Sequence, residues 1–191
     1  MRVVLAGLVL ALTTSPAAAQ DMACPFRAGA DPAARPSPLD SVSFTVAGQA
    51  VKICYGRPSL KGRHMVGGDA VPFGNVWRTG ANETTKFITA APVTVGSIEV
   101  PAGMYALYAV PGEREWILIV NQAHEQWGHE RSYTDEIMAQ DLGRTPATVE
   151  TLASPVETFT IRAEPQADGS AHLILEWETT RVRVPVTPKT R

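Results

Sequence analysis

A two-residue alternation of apolar and polar side chains recurs along most of this sequence, and it restricts the chain to paired β-strands. In residues 41–46, Val42, Phe44 and Val46 share one face while Ser43 and Thr45 share the other. Ala47-Gly48-Gln49 is a short turn, after which Val51, Ile53 and Tyr55 resume the pattern, so a hairpin is expected. Residues 86–90, 93–95 and 98–100 read as further short strands, the last two joined at Gly96-Ser97. Residues 102–110 and 116–121 are apolar on both faces, as interior strands are when both sides are covered. Their short length, with Pro101, Pro111 and Gly112 at the ends, favours strands joined through Pro111-Gly112-Glu113. Residues 157–162, 171–178 and 181–186 complete the series. In the middle one Leu173, Leu175 and Trp177 point inward and His172 and Glu176 outward, and a Glu178-Thr179-Thr180 turn leads to Val182, Val184 and Val186. Pro185 has no amide to give to a ladder, which marks the last strand as an edge. Only residues 122–149 break the pattern. Ser132 or Thr134 is placed to cap a short helix over 135–142, with Asp135 and Glu136 near its positive end and Gly143 to stop it. About nine short strands and one short helix make a mainly β, single-domain chain, a two-sheet sandwich or a squat barrel.

The first 19 residues have the layout of a secretory signal. Arg2 is the charged start, Val3 to Leu12 the apolar run, and Ala17-Ala18-Ala19 the cleavage site. The apolar run would reach roughly 15 Å as a helix, half of the ~30 Å bilayer core, so it is no membrane span. Asp21 stands three residues before Cys24, where a lipid-anchored protein needs an aliphatic residue. Cleavage after Ala19 gives an expected order of signal peptide (1–19), extended lead-in (20–40) and β domain (41–187), and a periplasmic or secreted location. The lead-in carries Pro25, Pro32, Pro36 and Pro38 and has no periodicity. Cys24 and Cys54 are the only cysteines. Export and the even count favour a disulfide between them over two buried thiols. Its closure is worth roughly 3–4 kcal/mol in the chain-entropy model.

Charge is unevenly placed. Residues 54–83 hold Arg57, Lys61, Arg63 and Arg78 against Asp69 and Glu83, a formal +2. The whole chain is −2, and loss of Arg2 makes it −3, so the rest of the mature part carries −5. A net charge this small gives no reason to expect nucleic acid or an anionic membrane surface. The stretch is rich in glycine and proline. Tyr55-Gly56-Arg57-Pro58 and Lys61-Gly62-Arg63-His64 place cations around glycines, and guanidinium forks suit carboxylates and phosphates. Residues 77–85 then pack Trp77, Arg78, Asn82, Glu83 and three threonines into nine positions. Two readings stay open. Either Arg78 pairs with Glu83 against Trp77 and Asn82 closes a turn, or these side chains meet at a ligand site. Tyr55, Trp77, Trp127 and Tyr133 fit a stacking floor for a sugar ring or a sandwich core.

Other chemistries find less support. His124-Glu125-Gln126-Trp127-Gly128-His129 has one residue too many for the helical zinc spacing, so no metal or other cofactor is expected. No G-x-S-x-G elbow is present, and a paired cysteine is no nucleophile. Glu83 with His64 is the one acid–base couple that can be assembled.

The strings Y-G-R-P-x-x-K-G-R, V-P-F-G-x-x-W-R-T-G-A-N-E (ending on Trp77 to Glu83) and V-P-A-G-x-Y (Val100 to Tyr105) with P-G-x-x-x-W resemble the bacterial family known as domain of unknown function 2911. The resemblance spans roughly residues 42–186. It implies an exported, mainly β protein of bacterial envelopes without an established activity, and carries over no catalytic residues. Function is left open by the resemblance; three arginines clustered in an otherwise acidic chain give the expectation of a binding module for a small polar or anionic ligand, held by Tyr55, Arg57, Arg63, Trp77, Arg78, Asn82 and Glu83. The alternatives are a hydrolase using Glu83 and His64, or a structural envelope protein with no small-molecule ligand.

Overall fold

A computed structural model of the chain describes residues 22–25, 31, 34–128 and 130–189; the signal-like segment lies outside them. Nine strands run β1 (Leu39–Val46), β2 (Gln49–Gly56), β3 (Ala81–Thr89), β4 (Val93–Val95), β5 (Ile98–Val100), β6 (Gly103–Val110), β7 (Glu115–Asn121), β8 (Asp141–Pro165) and β9 (Ala171–Pro188). They form one sheet in the order β1-β2-β3-β6-β7-β8-β9-β4-β5, with every pairing antiparallel. The sheet does not close into a barrel. It folds back on itself as in a sandwich, so that β1 packs against β8 and β9 and β2 faces β8. Tyr55 of β2 meets Phe159 of β8 edge to face at 5.7 Å between ring centres. One continuous core lies between the layers, built by the alternate residues Phe44, Val46, Val51, Ile53, Phe87, Leu107, Leu118, Leu173 and Leu175 among others.

β6 and β7 are covered on both faces, which is why they read as unbroken apolar runs. Ala106, Tyr108 and Ile119 on their outer face pack with Val76, Val110 and Tyr133 into a second, smaller cluster beneath the connection after β7. The turn at Ala47-Gly48, with φ of 48° and 77°, joins β1 to β2 as expected.

Three expectations need correction. The segment 171–186 is one strand: Glu178 takes φ 50° inside β9, and the register to β8 slips there. This bulge shifts the inward face from odd positions (Leu173, Leu175, Trp177) to even ones (Val182, Val184, Val186), a phase change that resembles a turn in the sequence. β9 is also no edge; β1 and β5 are. Pro185 is tolerated because its missing amide falls opposite Gly96, whose N–H donates to the Pro185 carbonyl at 2.8 Å where the β4–β5 turn begins. The helix is one turn, α1 (Asp135–Met138), with no side-chain cap from Thr134. It ends early because Asn121 Nδ2 holds the Ile137 carbonyl at 2.6 Å and Asp141 at 2.7 Å, which starts β8 at Asp141.

Candidate functional site

Residues 77–86 carry the chain from the loop after β2 into β3, and local backbone geometry sorts their side chains. Trp77 is bonded to Ala109 through both backbone groups at 2.7 and 2.8 Å, and its ring is buried. It stacks on Trp177 at 5.8 Å and meets Trp116 and Phe159 edge to face. Thr79 and Asn82 both take positive φ, 50° and 67°. Non-glycine residues rarely do so, and here side-chain hydrogen bonds hold them. The Thr79 hydroxyl donates to the Leu107 carbonyl at 2.8 Å, and the Asn82 amide donates to the Ser37 carbonyl at 2.9 Å. At Gly56 a Cβ would stand 2.0 Å from the Ala81 carbonyl oxygen, so only glycine lets β2 approach β3 where their register jumps. Gly56→Ala is therefore expected to cost about 2 kcal/mol by overpacking, read as a lower urea midpoint at unchanged slope.

Two segments close over this part of β3. On one side residues 122–128 run antiparallel to it: Glu83 bridges Trp127, Gly128 N–H donates to the Asn82 carbonyl at 3.2 Å, and the Thr84 hydroxyl donates to the His124 carbonyl at 3.2 Å. Gly128 is required because a Cβ there would lie 2.6 Å from Cδ of Arg78, which therefore lies along this segment. Trp127 stays 38 % exposed at the margin. On the other side sits the lead-in. Cys24 is disulfide-bonded to Cys54 of β2, and Arg35 reaches Glu83 Oε2 at 2.5 Å with both side chains nine-tenths buried. Between lead-in and sheet is a crevice of about 10 Å³ lined by Pro25, Leu39, Cys54, Tyr55, Gly56, Glu83, Thr84 and Lys86. It has room for one water-sized guest.

Lys86 is the residue the sequence reading missed. Only 5 % exposed, it donates from Nζ to the Thr84 hydroxyl at 2.8 Å. Burial pulls its pKa down to about 8 although Glu83 and Glu125 favour the charged form. The imidazole of His124 is also held below its usual range, by burial first and then by the Lys86 charge. The available signal was a lone lysine inside the strand Thr84-Thr85-Lys86-Phe87-Ile88.

The remaining candidates lie elsewhere. Tyr55 is buried; its hydroxyl accepts from Ile161 N–H at 3.0 Å and donates to Asp40 at 3.3 Å, and burial pushes its pKa up to about 12. Arg57 donates to the Phe159 carbonyl at 3.1 Å and to the Thr160 hydroxyl at 2.9 Å, with Asp40 at 3.4 Å. Arg63 folds onto its own loop, donating to the Leu60 and Ser59 carbonyls at 2.9 Å. His64 is exposed, 3.2 Å from Glu178, whose carboxylate also accepts the Met65 and Val66 amides. So Arg57 and His64 brace the loop against β8 and β9 and Arg63 braces it internally, while Asn82 and Glu83 lie at the start of β3 with Arg78 just before it. Glu83 and His64 have different partners, Arg35 and Glu178. Among the described residues no group of three or more His, Cys, Asp or Glu is placed to hold a metal ion. His129 lies outside the described residues. Among the described residues no helix is long and apolar enough to cross a membrane.

No curated protein and no solved structure matches the chain. The family described as "Protein of unknown function (DUF2911)" matches residues 37–186, from the last turn of the lead-in to the end of the core strands. Both segments that form the polar face of β3 and its roof fall inside that span, and the chain is a member of this family.

Proposed function

We propose that the chain is an exported binding module for a small anionic ligand, held by Lys86 of β3 and by Arg78 just before that strand, with the Asn82 amide as an orienting group. The observation that carries this reading is Lys86. Its ammonium is nearly buried at the crevice, and among the described residues its one hydrogen bond goes to a neutral hydroxyl. A cation so placed gains from an anionic oxygen, and the crevice has room for one such atom. The Cys24–Cys54 bridge supports export, since disulfides persist outside reducing compartments. Arg57 and Arg63, bound to backbone carbonyls, serve the loop.

The test is calorimetric and NMR titration with acetate, inorganic phosphate and small dicarboxylates at low and high salt. Saturable, salt-weakened binding is expected, lost by at least about ten-fold in Lys86→Met and Arg78→Ala and kept in Glu83→Gln. Absence of any saturable change around residues 82–86 with all these probes overturns it. A structural role is the second reading, favoured by the buried Arg35–Glu83 pair and the core position of Trp77. On that reading Arg78→Ala lowers the melting temperature and changes no titration.

A further inference from the structure

Cys54 and Lys86 are directly opposed residues of β2 and β3, and both line the crevice beside Glu83. Side chains so paired lie about 5 Å apart at Cβ. Lys52, two residues before Cys54 on β2, shares that outer face. The two cysteines of the bridge differ in access: Cys24 is half-buried, while Cys54 is only 2 % exposed. From this geometry we infer that Cys24–Cys54 is a thiol-exchange site for a dithiol reductant, with Lys86 as the positioning cation for the departing Cys54 sulfur.

The balance is that of an ordinary exchange. A thiolate of the dithiol attacks the accessible Cys24 Sγ, the S–S bond breaks, and its electron pair leaves on Cys54 Sγ beside the Lys86 ammonium. The second thiol of the reductant then displaces Cys24. The reductant departs as a disulfide, two electrons have moved, and both cysteines end as thiols. A leaving sulfur is better when its anion is stabilised, and a neighbouring ammonium does that. The other charged groups around Cys54 are Glu83 on β3, Arg35 on the lead-in and Glu125 on the roof segment, with His124 beside Lys86. Glu83 is countered by Arg35, and Lys86 together with Lys52 outnumbers Glu125, so the local balance favours an anion at sulfur. Opening the bridge unties residues 22–25, and Pro25 is one wall of the crevice. Reduction therefore uncovers Lys86. The exchange chemistry stands apart from the ligand reading, and failure of anion binding leaves it untouched.

Two measurements test it. The rate of reduction of the intact mature protein by dithiothreitol at pH 7 is expected to fall about five-fold in Lys86→Met and to stay within about two-fold of the parent in Lys86→Arg. If Lys86→Met does not fold, Lys86→Gln replaces it. In the unmutated protein, acylation of Lys86 by an N-hydroxysuccinimide ester, mapped by peptide mass spectrometry, is expected to rise at least about five-fold after reduction. Equal reduction rates in parent and Lys86→Met, or unchanged labelling of Lys86, overturn the proposal.

Discussion

Trp77→Ala is expected to cost about 4 kcal/mol and to lower the melting temperature by about 10 °C. The ring is 3 % exposed and touches three aromatic neighbours drawn from β7, β8 and β9, so it is shared between both layers of the sandwich. Removing it leaves a cavity that cannot collapse without moving strands on both sides, and it takes away edge-to-face contacts beyond the area lost. Trp127→Ala is the control. That ring is 38 % exposed, and what Trp127 gives β3 is its backbone bridge to Glu83, so its truncation should stay within about 0.5 kcal/mol. Urea unfolding of the two variants gives the comparison, and near-equal losses would place Trp77 outside the core.

The contrast between these two tryptophans shows what the sequence could and could not carry. Strands were legible because their alternation is local: Val42, Phe44 and Val46 state their face without reference to any other segment. The first half of β8 was not, because Gly143 and Pro146 sit where turn residues are expected. That stretch is a strand because β7 supplies a long partner, with Ile117 opposite Pro146. For the site, clustering of Arg78, Asn82 and Glu83 was visible in the string itself. The partners that decide the fate of each guanidinium were not. Arg57 donates to Phe159 and Glu83 receives Arg35, contacts separated by 102 and 48 residues. Lys86 was invisible for the same reason. Its burial depends on a lead-in fixed by a distant cysteine, and a lysine on an alternating strand looks like a solvated face.

Glu176 makes the same point on the opposite layer, and it carries the second large effect. It lies on the outward face of β9 yet is only 7 % exposed, because arginines close over it. Arg162 donates from Nε at 2.9 Å and Nη2 at 3.1 Å, and Arg181 from Nε at 2.6 Å. Arg183 ties Glu150 and Glu164 into the same network at 3.1 and 3.0 Å, with His172 at 3.3 Å, half-buried instead of the solvated residue the alternation implied. Glu176→Ala leaves two guanidinium groups around a vacated acceptor. Loss of a buried pair costs 3–5 kcal/mol, and the partial exposure of both arginines puts the expected value at about 3 kcal/mol. The Arg162 hydrogen bond, opposed by burial and helped by Arg181, holds the Glu176 carboxyl below the usual carboxylate range. Its contribution is thus complete above the unfolded-chain value near 4.5 and is lost as pH falls through the lower folded value. Glu164 moves the same way: burial opposes, but the Arg162 hydrogen bond and the Arg183 charge outweigh it. Melting of the parent and of Glu176→Gln between about pH 3 and 7 checks this. The gap between them should be widest near neutrality and narrow below about pH 4.5, and a gap independent of pH would show that Glu176 acts by packing alone.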